Sequence, residues 1–196
     1  DSLRALDADL GGQLLLTHGD PVERVVEVAR SAGATQVHVA ADYGPYGVQR
    51  DARVRAALAE HGIELVETGS PYAVAPGRVT KDDGTAYRVY TPFYRAWVRH
   101  GWRAPAPDVD ATYVMPLECD GFPERPELPF ALPAAGEAAA LERWAAFRAA
   151  GLAGYDDTRN FPALDGTSAM GHHLKWGEIH PRTILADLGD SAGEET

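Results

Sequence analysis

The chain has 196 residues, 45% hydrophobic and 24% charged, a soluble globular balance that fits one domain or one and a fraction and argues against a disordered or membrane chain. Formal net charge is -11, so the mean field repels a phosphate backbone; this weighs against nucleic-acid binding by the chain alone, while leaving room for a local basic groove. No run has the length of a bilayer span, the N-terminus has neither a basic n-region nor an apolar h-region, and the one cysteine, Cys119, has no internal partner, all of which reads as cytoplasmic and without a membrane contact.

In chain order, Ser2 to Leu10 carries apolar residues at helical spacing and stops at Gly11-Gly12, a C-cap pair. Nothing caps that helix at its start, so N-terminal sequence is expected to be absent. Leu14-Leu15-Leu16 reads as a buried strand. Asp20-Pro21 supplies an N-cap and an N1 proline for a helix burying Val22, Val25, Val26 and Ala29. Val37 to Ala41 is the next strand, Gly47 to Gly62 a helix with Val54, Ala57 and Leu58 on its inner side, and Ile63 to Val66 a further strand. This βαβαβ rhythm argues for a parallel sheet covered by helices.

After Gly69 the rhythm breaks. Lys81 to Thr85 is a turn signal, Tyr87 to Tyr90 a short strand, and Pro92 to His100 an aromatic-rich helix. Arg103 to Pro133 is rich in proline and acid with no sustained period, as in an interdomain linker. From Ala134 a second regime begins, with Leu141, Trp144, Phe147 and Gly151 at helical spacing, then helical segments over Thr167 to Trp176 and Pro181 to Leu188. The architecture expected is α/β, then linker, then α, divided at residues 1–103, 104–133 and 134–196.

The most informative stretch runs from Tyr155 to Arg182. Gly166 before Thr167 and Ser168 at a helix start leaves free backbone N–H groups and two hydroxyls aimed at one spot, which suits a phosphate. A helix cap that binds nothing has the same residues. Taken whole, the stretch resembles the DNA photolyase and cryptochrome family, whose pattern of a tyrosine, an arginine four positions on, then G-T-S-x-L-S-P-Y-L-x-F-G-x-x-S-P-R is met in register by Tyr155, Arg159, Gly166, Thr167, Ser168, Leu174, Lys175, Gly177, Pro181 and Arg182. Ala41 to Tyr46 with Arg50-Asp51, and Thr91 to Trp97, resemble the family's antenna domain in the same order.

The resemblance implies a partial Rossmann-like antenna domain over 1–103 and the first helices of an all-α FAD-binding domain over 134–196. It implies that Tyr155, Thr167, Ser168, Ala169, Met170 and Gly171 contact FAD, with Met170 in place of the usual leucine and Gly171 in place of the second serine. His172 and His173 replace a Pro-Tyr pair and read as ordinary helix residues, one facing solvent, with a flavin or proton role as the alternative. Arg159 matches the arginine that touches the backbone of damaged DNA, a role a guanidinium fills by bidentate hydrogen bonding; a surface pair with Asp156 or Asp157 is the alternative. Asp42, Tyr46 and Arg50 are antenna contacts, the Asp-x-x-Pro-Tyr-Gly pattern favouring a deazaflavin over a folate, although Asp42 also suits a simple strand-end cap. Trp97, Trp102, Trp144 and Trp176 read as packing residues.

By the same resemblance the parent protein is a deoxyribodipyrimidine photolyase, a carbon–carbon lyase and a monomer acting on ultraviolet-damaged DNA. The antenna absorbs light, energy passes to reduced FAD, and an electron from FAD splits the cyclobutane pyrimidine dimer. The chain is expected to be a piece lacking the family's first strands and most of its catalytic domain, inactive alone, with no catalytic residue and no metal ligand assigned to it. A cryptochrome-type blue-light receptor, a nucleotide-binding α/β module without photochemistry and a purely structural interaction fragment are the rival readings.

Overall fold

The computed structural model describes residues 1–109 and 111–192. The chain packs as two compact units, Leu15–Gly121 on one hand and Asp1–Leu14 with the chain from Phe122 onward on the other. These limits differ from the sequence-based division at 103 and 133, because the first helix packs with the helical unit and the irregular segment up to Gly121 stays with the α/β unit.

In the α/β unit, helix α2 (Pro21–Ser31) begins where Asp20 accepts the Val22 N–H at 2.7 Å, the cap that the Asp-Pro pair announces. Strands β1 (Gln36–Val39) and β2 (Glu64–Glu67) pair in parallel, Gln36 opposite Glu64 and Val39 opposite Glu67, with helix α3 (Pro45–Ala59) as the crossover. Ala29, Val54, Leu58, Ile63 and Leu65 form the buried core, and Leu58 is fully enclosed. Val22, Val25 and Val26 pack on it half-buried. The expected strand at Leu14-Leu15-Leu16 does not form. Among the described residues the sheet has two strands, and the run's backbone bonds go elsewhere: the Leu16 carbonyl accepts from Asp120 N–H at 2.9 Å and the Leu16 N–H lies 3.4 Å from Cys119 Sγ. A strand without a ladder partner has no cooperative hydrogen bonding to hold it extended.

The Lys81–Thr85 turn closes with Lys81 N–H on the Thr85 carbonyl at 2.9 Å, and Thr85, through its hydroxyl first and then its N–H, holds the Asp83 carboxyl below the usual range. Tyr87 to Tyr90 is not a strand; it leads into helix α4 (Tyr90–His100), which starts two residues before Pro92. No residue of α4 is buried. Trp97 and Trp102 stack with centroids 4.6 Å apart.

In the helical unit, α1 (Ser2–Asp9) ends as read, with Gly11 and Gly12 N–H groups on the Ala8 and Asp7 carbonyls. Helix α5 (Glu137–Ala150) buries Trp144 and Phe147 as read from the sequence, with Ala140 rather than Leu141, which is 42% exposed, as the third inner residue. Met170 and Ile179 complete this core, with Leu152, Ile184 and Leu188 around it. Short helices α6 (Tyr155–Thr158) and α7 (Gly171–Trp176) precede α8 (Pro181–Ala192). Trp144 is buried and donates to Asp187 at 2.7 Å, whereas Trp176, at the end of α7, is 68% exposed and is no packing residue.

His173 is also no solvent-facing helix residue. At 2% exposure its Nδ1 lies 2.5 Å from Glu178 Oε2, while Glu178 Oε1 accepts the Gly136 N–H at 2.8 Å. Burial pushes the Glu178 carboxyl up, but bonds from Ser2, Gly136 and His173, with the attraction to His173, hold it below the usual carboxylate range. This one carboxylate therefore ties α1, the entry to α5 and α7 together.

Candidate functional site

In the α/β unit, the C-terminal end of β1 opens into the Asp42–Gly44 loop before α3, the edge at which parallel sheets hold ligands. Asp42 Oδ1 accepts the Gly44 N–H at 2.9 Å, and its other oxygen lies 3.7 Å from the Arg50 guanidinium. Asp42 is thus both a strand-end cap and a partner of Arg50. A Cβ on Gly47 would overlap the Asp42 carboxylate, so glycine is what lets this carboxylate lie against the first turn of α3. Asp51, buried at 7%, accepts from Arg50 Nε at 2.7 Å. That bond, ahead of the attraction to Asp42, raises the Arg50 pKa further, so its charge is permanent.

Tyr46 stands 70% exposed, its ring centroid 5.8 Å from the Arg50 guanidinium. Asp42, Tyr46 and Arg50 thereby come together as a planar ring, a fixed cation and a carboxylate. An exposed aromatic platform with charged groups at its rim fits a flat polar chromophore. The residues that sequence reasoning missed here are Gly47, Asp51 and the edge-on pair Tyr43 and Tyr72, 5.9 Å apart. Tyr72 follows β2, and a parallel pairing of β1 and β2 would have brought its loop beside Asp42.

In the helical unit, Gly166 has a packing reason beside the one the sequence offers. A Cβ there would stand 2.5 Å from Thr158 Oγ1, so glycine admits the α6 threonine. Helix α7 starts at Gly171, and Thr167 to Met170 form a turn before it, with Ala169 in the left-handed region at φ 53°. A β-carbon residue held there is locally strained. Arg143 of α5 pins this turn: its Nε donates to the Ser168 carbonyl at 2.9 Å and its Nη2 to the Thr167 carbonyl at 3.1 Å. Among the described residues no protein partner takes the Thr167 or Ser168 hydroxyl, nor the N–H groups of the turn, so these donors suit a phosphate. Met170 does not expose its side chain, which is 3% accessible and part of the core, leaving only backbone to offer. Tyr155 is 38% exposed and meets Phe147 edge-on at 6.0 Å.

Beside the turn lies an open hollow of about 480 Å³ lined by Arg143, Ala169 and His172 among others. His172 Nε2 is buried without a hydrogen-bond partner. Arg143 was not legible as a site residue, since its partners lie 24 and 25 residues away. Arg159 pairs with Asp156 at 3.2 Å, the alternative read from the sequence; both side chains are well exposed, so the pair is weak and leaves the guanidinium available to a phosphate.

These two places lie in a chain that packs as two compact units, one α/β and one helical. The DNA photolyase family model matches residues 1–110. A deoxyribodipyrimidine photo-lyase of Halobacterium salinarum is 35% identical over 193 residues, covering 93% of this chain and 40% of the relative. The crystal structure of a bacterial class III photolyase from Agrobacterium tumefaciens superposes with a TM-score of 0.76 at 26% identity, over 100% of this chain and 44% of that one. A Synechocystis cryptochrome shares the fold, with a TM-score of 0.73 at 20% identity, over 99% of this chain and 44% of its own. The chain belongs to the DNA photolyase family. It spans about two fifths of the length of the photolyases it matches.

Proposed function

We propose that this chain is the antenna-proximal portion of a deoxyribodipyrimidine photolyase, which repairs cyclobutane pyrimidine dimers in ultraviolet-damaged DNA under light, as a cytoplasmic monomer. The observation that carries the reading is the 35% identity to a deoxyribodipyrimidine photo-lyase through 93% of the chain, across both units. The antenna domain corresponds to 1–103, a linker to 104–133 and the start of the FAD-binding domain to 134–196.

Two groups belong to this reading. When bound, FAD supplies the light-driven electron and a second chromophore supplies absorption, chemistry that no side chain performs. Tyr155, Thr167, Ser168, Ala169 and Gly171, with the Met170 backbone, hold FAD, the free hydroxyls and N–H groups facing its phosphates. Arg143 keeps the turn in shape by occupying two of its carbonyls. Asp42, Tyr46 and Arg50 hold the second chromophore, a deazaflavin in preference to a folate: the Tyr46 ring offers a stacking face, and the charges of Asp42 and Arg50 orient polar edges. Arg159 meets the DNA backbone once it leaves Asp156. With these groups but only two fifths of the family's length, the chain alone repairs nothing.

The test is dimer loss from ultraviolet-irradiated DNA incubated with the complete natural gene product in blue light and in the dark. Loss in the light alone is the expected result. A flavin-loaded protein without repair makes it a cryptochrome-type receptor, and a flavin-free protein that binds ATP makes it a nucleotide-binding module.

A further inference from the structure

Helix α4 and its flanks differ from the rest of the chain in charge. From Thr85 to Pro107 there is no aspartate or glutamate, while Arg88, Arg95, Arg99 and Arg103 are present, in a chain of net charge -11. Among the described residues, none of these four arginines has a carboxylate partner, whereas eight arginines elsewhere sit on one. Guanidinium groups left unpaired in an acidic protein mark a place where a partner brings the negative charge.

The same segment carries a run of stacked rings. Tyr90 and Tyr94 stack at 5.8 Å and 18°, Tyr94 and Trp97 at 6.4 Å and 19°, and Trp97 and Trp102 at 4.6 Å and 27°. Tyr90, the ring at the end of the run, is 73% exposed. An open groove of about 540 Å³ lies along the helix, lined by Tyr87, Pro92, Tyr94, Arg95, Val98 and Arg99. Arg95 and Arg99 are four residues apart, which puts them one above the other on the helix with Cβ atoms about 5–6 Å apart, close enough to serve neighbouring phosphates.

We propose that this groove binds single-stranded nucleic acid, a base stacking on the exposed Tyr90 ring that ends the run and successive phosphates meeting Arg95 and Arg99. Both halves of the chemistry are needed for the assignment. Unpaired arginines alone would accept any polyanion, and exposed rings alone any apolar surface; together they match a strand whose base faces are open, which a duplex conceals. The surface is separate from Arg159, which lies on the other unit, and the inference does not rest on the photolyase reading.

The experiment uses the complete natural gene product and an undamaged, fluorescein-labelled oligothymidylate, read by anisotropy and by quenching of tryptophan fluorescence. The double variant Arg95→Ala/Arg99→Ala should weaken binding at least tenfold and reduce the slope of log K against log[salt] by about 1.4, roughly 0.7 for each phosphate no longer neutralised. Tyr90→Ala should weaken it about tenfold while leaving the salt slope unchanged. Both substitutions are at exposed positions, and unchanged far-ultraviolet circular dichroism would exclude misfolding as the cause. Unaltered affinity in both variants overturns the proposal. Equal competition by polyglutamate overturns it in favour of an acidic protein partner, and equal binding of blunt duplex removes the stacking that it requires. Light-dependent repair of duplex dimers is read in the same variants: its retention leaves the photolyase reading standing whatever the groove does.

Discussion

Replacing Glu178 is the sharpest test of how the helical unit is held. In Glu178→Ala the Gly136 N–H loses its acceptor at 2.8 Å, His173 its partner at 2.5 Å, and Ser2 its bond, all around a residue only 8% exposed. Removing the carboxylate leaves several buried groups without a partner at about 1–3 kcal/mol each, so the total loss is on the order of 3–5 kcal/mol. For a chain of this size each kcal/mol shifts Tm by about 2–4 °C, so the helical unit should melt on the order of 10 °C lower. Glu178→Gln keeps an acceptor for Gly136 and should lose less than the alanine variant. Urea denaturation of wild type, Glu178→Ala, His173→Ala and the double variant closes a cycle whose coupling should exceed about 1 kcal/mol. The pH dependence has a definite sign. The folded-state pKa of Glu178 lies below its unfolded value near 4.5, so its stabilisation is complete above that pH and disappears as pH falls through the folded value. A Glu178→Ala variant within about 1 kcal/mol of wild type, with unchanged acid sensitivity, would refute the account of this carboxylate as a three-way tie.

Three further outcomes follow from the packing. Leu58→Ala, at a fully enclosed position in the α/β core, should destabilise that unit by about 2–5 kcal/mol in urea titrations, with little effect on the Trp144 environment of the helical unit. Gly47→Ala forces the Asp42 carboxylate aside and should lower the occupancy of the second chromophore in the complete protein, read as the loss of its absorption band relative to FAD, while flavin content is kept. Arg143→Ala frees the Thr167 and Ser168 carbonyls and should weaken FAD retention about tenfold on dialysis, with Arg143→Lys only a partial rescue, since an ammonium cannot reproduce the planar fork.

What the sequence made legible is what local chemistry decides. Asp20-Pro21 starts a helix because a carboxylate cap and a fixed φ act within one turn, and the β1–α3–β2 crossover follows from short apolar runs on either side of an amphipathic helix. Asp42, Tyr46 and Arg50 were named by the family resemblance, and they lie near one another because Tyr46 and Arg50, four apart in the first turns of α3, share a face beside the end of β1. The Leu14–Leu16 strand was misread because an apolar run states a preference for burial, whereas strand formation depends on a neighbour elsewhere in the chain. Gly166 shows a related limit: a missing Cβ serves a phosphate or a packed threonine equally well, and the sequence does not show that Thr158 lies against it. Arg143, Asp51 and Glu178 act through partners that sequence spacing does not reveal, or through burial that it does not show.

The two candidate cofactor regions share a design that bears on affinity. In each, an arginine is fixed by neighbours before any ligand arrives: Arg50 by Asp51 at 2.7 Å, Arg143 by the Ser168 and Thr167 carbonyls and by Asp165 at 3.2 Å. A side chain already ordered loses little further rotamer freedom on binding, which lowers the ordering cost by about 0.5–1.5 kcal/mol per arginine-like side chain. Their roles nonetheless differ. Arg50 keeps its charge beside an exposed ring, where the proposed chromophore would meet it, whereas Arg143 commits its donors to backbone and holds the shape of the turn. Ionic strength should separate them: chromophore binding at Arg50 weakens with salt through screening, while the contribution of Arg143, made through short hydrogen bonds to carbonyls, changes little. The four unpaired arginines around α4 are the opposite case, long side chains not held by any carboxylate, and a partner there must order them itself.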